Sequence, residues 1–118
     1  MEYFFIGEAE LVTAFRFVGV GGIAVSGPKE SSAAFKRVTR GWVEEAGAVI
    51  PDSTLPPPGE IRVLILSEEV ADSLGSELAD WQISGKYPLV VEIPGLQGRL
   101  AGRKTLVDTI RQAIGVRV

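Results

Sequence analysis

Four times along the chain a short aromatic or β-branched run gives way to a stretch whose apolar residues recur at helical spacing. That alternation limits the fold more than any other feature. The runs are Tyr3-Phe4-Phe5-Ile6, Val20-Gly21-Gly22-Ile23-Ala24-Val25, Ile61-Arg62-Val63-Leu64-Ile65-Leu66 and Leu89-Val90-Val91-Glu92-Ile93. Strand and helix in strict alternation predict an α/β fold: a small, mostly parallel four-stranded sheet, right-handed crossovers and helices on both faces, receiver- or Rossmann-like in topology. At 118 residues the chain forms one domain able to bury a single core.

The helical stretches carry their own punctuation. After the first run, Glu8 and Glu10 suit the positive end of a helix dipole, and Leu11, Val12, Phe15 and Val18 form a stripe that stops at Gly19. After Ser26-Gly27-Pro28, Ser31 or Ser32 caps a helix whose apolar face is Phe35, Val38, Trp42, Val43 and Ala46. In this reading Gly41 lies inside the helix, weakening it by about 1 kcal/mol relative to alanine, and Gly47 follows its end. Residues 51–60 hold Leu55-Pro56-Pro57-Pro58-Gly59, which is neither helix nor central strand. They form either a connector or a recognition motif for a proline-binding domain. Ser67 is the expected cap of a single helix whose buried stripe is Val70, Leu74, Leu78 and Trp81.

The last third is organised differently. Residues 89–93 are nearly all apolar, which predicts a strand covered on both faces. The connector, residues 95–104, is rich in glycine, and a helix over 105–114 presents Leu106, Val107, Ile110, Ala113 and Ile114 on one stripe. Such a stripe must be buried, and the glycine-rich connector lets the helix find its place away from its own sheet. The chain therefore divides into an α/β body at residues 1–94 and a connector with a mobile C-terminal amphipathic helix at 95–118.

Composition removes whole classes of chemistry. The chain has 12 Lys and Arg against 15 Asp and Glu, a formal charge of −3 that gives no general pull toward nucleic acid. It has neither cysteine nor histidine, so disulfides, thiolate nucleophiles and Ser-His or Cys-His catalytic arrangements are excluded, and no ordinary zinc ligand set is available. No cofactor or metal site is expected. The opening residues lack the pattern of a signal peptide and no long apolar span occurs, so the expectation is a cytoplasmic protein without membrane insertion.

Two glycine-bearing stretches imitate phosphate sites. Residues 98–105, Gly-Arg-Leu-Ala-Gly-Arg-Lys-Thr, come within one substitution of G-x-x-x-x-G-K-[ST], but Arg103 occupies the second glycine position, where a backbone without Cβ lets the loop wrap close to phosphate. No later strand remains to supply a metal-binding aspartate. Gly19-Val20-Gly21-Gly22 follows a helix and precedes a strand, the reverse of a dinucleotide loop. A receiver-like site would need an aspartate closing the third strand, where Leu66-Ser67-Glu68 stands, and a lysine after the last strand, where Pro94-Gly95 stands. Arg16, within Phe15-Arg16-Phe17-Val18, either runs along its helix to solvent or anchors a partner. Glu92 is either at an exposed strand end or paired, with Arg62 as the candidate.

Three stretches taken together resemble the F subunit of the rotary V-type (A/V-type) ATPase central stalk. They are Ile6-Gly7-Glu8 with Thr13-Ala14-Phe15-Arg16-Phe17-Val18-Gly19, then Leu64-Ile65-Leu66-Ser67-Glu68-Glu69-Val70-Ala71, and Tyr87-Pro88-Leu89-Val90-Val91-Glu92-Ile93-Pro94-Gly95 followed by a helix ending Ala113-Ile114-Gly115. Ala14 departs from a glycine common in the family, and the loop at 51–59 is longer than usual. The resemblance implies a non-catalytic rotor part of a proton- or sodium-translocating ATPase or ATP synthase, bound to the coiled-coil D subunit through Leu106, Val107, Ile110, Arg111, Ala113 and Ile114. Arg16 would add to the interface. It also implies contacts to the A and B subunits, which handle ATP, a helix that docks or retracts, and a helix-swapped homodimer of the isolated chain. The other class that the alternation permits is a free-standing receiver-like or small-ligand-binding module.

Overall fold

A computed structural model describes residues 2–56 and 60–96. The elements in chain order are β1 (Tyr3–Gly7), α1 (Ala9–Phe17), β2 (Gly21–Ala24), α2 (Gly27–Arg40), β3 (Trp42–Glu45), β4 (Ala48–Pro51), β5 (Val63–Ser67), α3 (Glu68–Leu74), α4 (Ser76–Ser84) and β6 (Leu89–Ile93). Strands β2, β1, β5 and β6 form one sheet in that order, and every adjacent pair is parallel. This is the order of the first four strands of a flavodoxin-like sheet.

Period-two alternation divides the side chains between two layers. Phe4 and Ile6 of β1 and Leu64 and Leu66 of β5 point to one face, where Ala34 and Phe35 of α2, Val70 and Leu74 of α3 and Leu78 of α4 complete the core. Trp81 closes that layer, its ring edge-on to Phe35 with centroids 6.1 Å apart and its indole N–H donating to the Pro88 carbonyl at 2.9 Å. Phe5 points to the other face and is fully buried beneath α1, its ring stacked on Phe15 at 4.5 Å. Close packing there depends on Gly22, where an added Cβ would lie 2.7 Å from the Phe5 carbonyl oxygen.

Helix α2 ends earlier than the spacing predicts. Gly41 adopts the left-handed conformation, φ 73°, and its N–H donates to the Arg37 carbonyl. It is therefore the stop of the helix and not an interior residue. Trp42 and Val43 enter an antiparallel hairpin of β3 and β4 that turns through Ala46 (φ 50°) and Gly47 (φ 79°). Two consecutive residues at positive φ are what a two-residue hairpin turn of the primed type requires. Phe35, Val38, Trp42 and Val43 fit a helical period, but the left-handed glycine and the aromatic, β-branched pair after it decide for strand. The base of the hairpin is fastened to α2. Arg37 Nε donates to Asp52 Oδ2 at 2.6 Å, the Thr54 N–H and hydroxyl donate to Asp52 Oδ1, and the Asp52 N–H donates to the Gly41 carbonyl.

The serines also take other roles. Ser26 occupies the N-cap of α2 with Pro28 in the first turn, while Ser31 lies inside the helix and donates to the Gly27 carbonyl at 2.9 Å. Ser32 donates to Glu77 Oε2 at 3.0 Å, joining α2 to α4. Ser67 sits at the start of α3 but its hydroxyl caps nothing and is fully buried. The single helix expected from Val70, Leu74, Leu78 and Trp81 is broken at Gly75, φ 55°, although all four residues still face the core layer.

Strand β6 is not covered on both faces among the described residues. It is an edge strand, and Leu89 and Val91 are 53 % and 47 % exposed. Among the described residues α1 packs mainly against β1 and β2 on that face.

Candidate functional site

In a doubly wound sheet, ligands enter the crevice beyond the carboxyl ends of the strands where the chain order reverses. Here that crevice lies between β1 and β5, with Glu8 following one and Ser67, Glu68 and Glu69 following the other. It is occupied by the chain itself. The Leu96 N–H donates to Glu8 Oε2 at 3.2 Å. A Cβ on Gly95 would collide with Glu69 Oε2 and lie 2.8 Å from Glu8 Oε1, so only a glycine fits between the two carboxylates as they stand. Glu69 Oε2 is buried with no hydrogen-bond partner among the described residues. The adjoining cavity, about 430 Å³, is lined by Val25, Ser26, Ser31, Val70 and Ser73 beside these two acids, and by no lysine or arginine among the described residues. Two carboxylates and a closed-in backbone repel a phosphate, and the position where a receiver would carry its acceptor aspartate holds the buried Ser67. No group of three or more Asp or Glu among the described residues could hold a metal ion.

Gly21 and Gly22 lie in β2, where Gly22 lets α1 pack close to the sheet: a Cβ there would lie 3.4 Å from Val12 Cγ1. Arg16 is exposed and reaches back toward the Gly22 carbonyl at 3.5 Å, so it runs along the edge of β2. Beside it Phe17 and Val18 are 86 % and 75 % exposed, an apolar tip at the end of α1. Arg62 stacks over the Tyr87 ring at 5.0 Å, and Glu92 is level with Leu66 toward the other end of the strands. A third feature is the open half of the sheet face, where Tyr3, Leu89 and Val91 are exposed above the half-buried Val63 and Ile65.

The stripe residues Leu106, Val107, Ile110, Arg111, Ala113 and Ile114, the connector and the phosphate-loop look-alike lie outside the described residues. Sequence reasoning missed the convergence of Glu8 and Glu69 on Gly95, because it joins positions far apart in the chain. The signal available was the Pro94-Gly95 stop falling after the last strand of an open sheet.

No helix of the described residues is long and apolar enough to cross a membrane. A search of the curated proteins finds no significant match. The model of the ATP synthase (F/14-kDa) subunit family matches residues 4–114, which includes the α/β body and the C-terminal stripe. A parallel α/β body whose ligand crevice is filled by its own backbone, inside a match of that extent, leads to one conclusion: the chain belongs to the ATP synthase (F/14-kDa) subunit family, the F subunits of V-type ATPases.

Proposed function

We propose that this F subunit is a non-catalytic part of the central rotor, fixed to the coiled-coil D subunit through Leu106, Val107, Ile110, Arg111, Ala113 and Ile114. The α/β body acts as an adaptor at the cytoplasmic face of the membrane, and ATP is bound and hydrolysed or made by the A and B subunits. The observation that carries this reading is the reach of the family match to residue 114, through a helical stripe whose apolar side needs a partner. The acidic crevice at the switch point gives secondary support, since its described lining offers a phosphate two carboxylates and no cation. Arg16, with Phe17 and Val18, would add a smaller contact.

Co-expression with the D subunit tests this. The wild-type pair should purify as a soluble complex, and Ile110→Asp should weaken it by about 2 kcal/mol or more, roughly thirtyfold in Kd, as loss of a buried anchor does. Equal assembly of the variant would remove the stripe from the interface. Titration with ATP, followed by Trp42 and Trp81 fluorescence, should give no saturable change.

A further inference from the structure

We propose that the groove between α2 and β3 is a second docking surface, and that it takes an acidic amphipathic helix of another protein chain. Helix α2 carries four of the twelve lysines and arginines, Lys29, Lys36, Arg37 and Arg40, against one acid, Glu30, although the chain as a whole is net negative. Positions 29, 33, 36 and 40 share one helical face, so Lys29, Lys36 and Arg40 line up with the small Ala33 between them. The stripe is about 16 Å long, three helical turns.

The other wall of the groove is β3. Trp42, Val43 and Glu44 face Lys29, Ala33 and Lys36 across a cavity of about 520 Å³. The cations differ in what they already do. Arg37 is held by Asp52 and Arg40 lies over the Trp42 ring at 5.7 Å, whereas Lys29 and Lys36 have no ion-pair partner among the described residues. Two uncommitted ammonium groups beside a floor of Trp42, Val43 and Ala33 match a ligand with carboxylates on one stripe and apolar side chains on the next. The exposed Val49 and Ile50 of β4 extend the apolar surface of the hairpin. A nucleic acid fits less well, because Glu44 lines the groove and Glu45 follows it, in a body of net negative charge.

The test uses the full-length chain with Trp81→Phe, so that Trp42 alone reports. It is titrated with a synthetic peptide about three turns long that carries leucines on one stripe and glutamates beside it. Saturable change in Trp42 emission is expected. The double reversal Lys29→Glu/Lys36→Glu, and a peptide with glutamine for glutamate, should each weaken binding at least about tenfold, as should raising salt from about 0.05 to about 0.5 M. Ala33→Arg fills the groove while adding positive charge. It too should weaken binding about tenfold or more, and it stands in for the double reversal should that variant not fold. Assembly with the D subunit should be unchanged in all these variants, which separates this surface from the C-terminal stripe on which the proposed function rests. Unchanged peptide binding by the double reversal or by Ala33→Arg would overturn the proposal. So would tighter binding of a single-stranded oligonucleotide, of phosphatidylserine vesicles or of ATP at the same tryptophan, or self-association of the chain through these residues.

Discussion

Asp52 holds the base of the hairpin, and its removal should cost a definite and pH-dependent amount. Its side chain is only 3 % exposed and accepts from Arg37 at 2.6 Å and from the Thr54 N–H at 2.9 Å, with the Thr54 hydroxyl as a further donor. Orphaning one member of a fully buried ion pair costs about 3–5 kcal/mol. Arg37, however, keeps 30 % of its side chain in water and can rehydrate, so Asp52→Ala should lose nearer 2 kcal/mol, a fall in Tm of roughly 8 °C for a domain of this size. Burial by itself would raise the Asp52 carboxyl, but the hydrogen bonds from Thr54 and Arg37 and the charge of Arg37 outweigh it and hold the carboxyl below its ordinary value. A depressed folded-state value stabilises the fold in full above the unfolded carboxylate value of about 3.9, and that contribution is lost as pH falls through the lower folded value. Thermal melts of wild type and Asp52→Asn followed by circular dichroism should therefore differ most near neutral pH and converge on acidification below about pH 4. A Tm difference unchanged between neutral pH and about pH 3, or one within error of zero at neutral pH, would refute the argument.

Gly41→Ala distinguishes the two readings of the segment after Arg40 by sign. In a helix interior the change would stabilise by about 1 kcal/mol, whereas at the observed left-handed position it should destabilise by about 1 kcal/mol in urea unfolding. Gly22→Ala should cost about 2 kcal/mol or more, because the new methyl meets the Phe5 carbonyl and no side chain can move aside; a neutral result in the same assay would mean α1 lifts freely from the sheet. Ala46→Asn should stabilise the hairpin by a few tenths to 1 kcal/mol, since asparagine tolerates the positive φ that alanine does not, and a loss of stability would argue against the primed turn.

The parallel sheet was legible because each of its strands is a short apolar run followed by a turn or an acid-headed helix. The two-layer core followed from the stripes Val70, Leu74, Leu78 and Phe35. The hairpin was not legible. Trp42 and Val43 continue the helical period of Phe35 and Val38, and whether Gly41 is strained helix or left-handed stop depends on a backbone angle that spacing does not encode. The exposure of Leu89 and Val91 was hidden for a related reason: an apolar run shows that a strand has apolar faces, not how far the covering helices extend over them. Of the site, the placement of Gly21 and Gly22 in a strand that follows a helix was legible from their order in the chain. The meeting of Glu8 and Glu69 around Gly95 required the fold, since it brings together positions that follow β1, β5 and β6.

The central claim is that the stripe at 105–114 is covered by another chain's coiled coil. The absence of cysteine makes a direct measurement straightforward, because a single engineered thiol is the only one present. Thiol accessibility should be measured at cysteines placed one at a time from position 105 to 114, with and without the D subunit. Positions 106, 107, 110, 113 and 114 should become protected only when D is present, leaving 108 and 112 reactive, a helical period written in protection. Protection of the same positions in the isolated chain with no change on adding D, or equal reactivity at every position in the complex, would contradict the account.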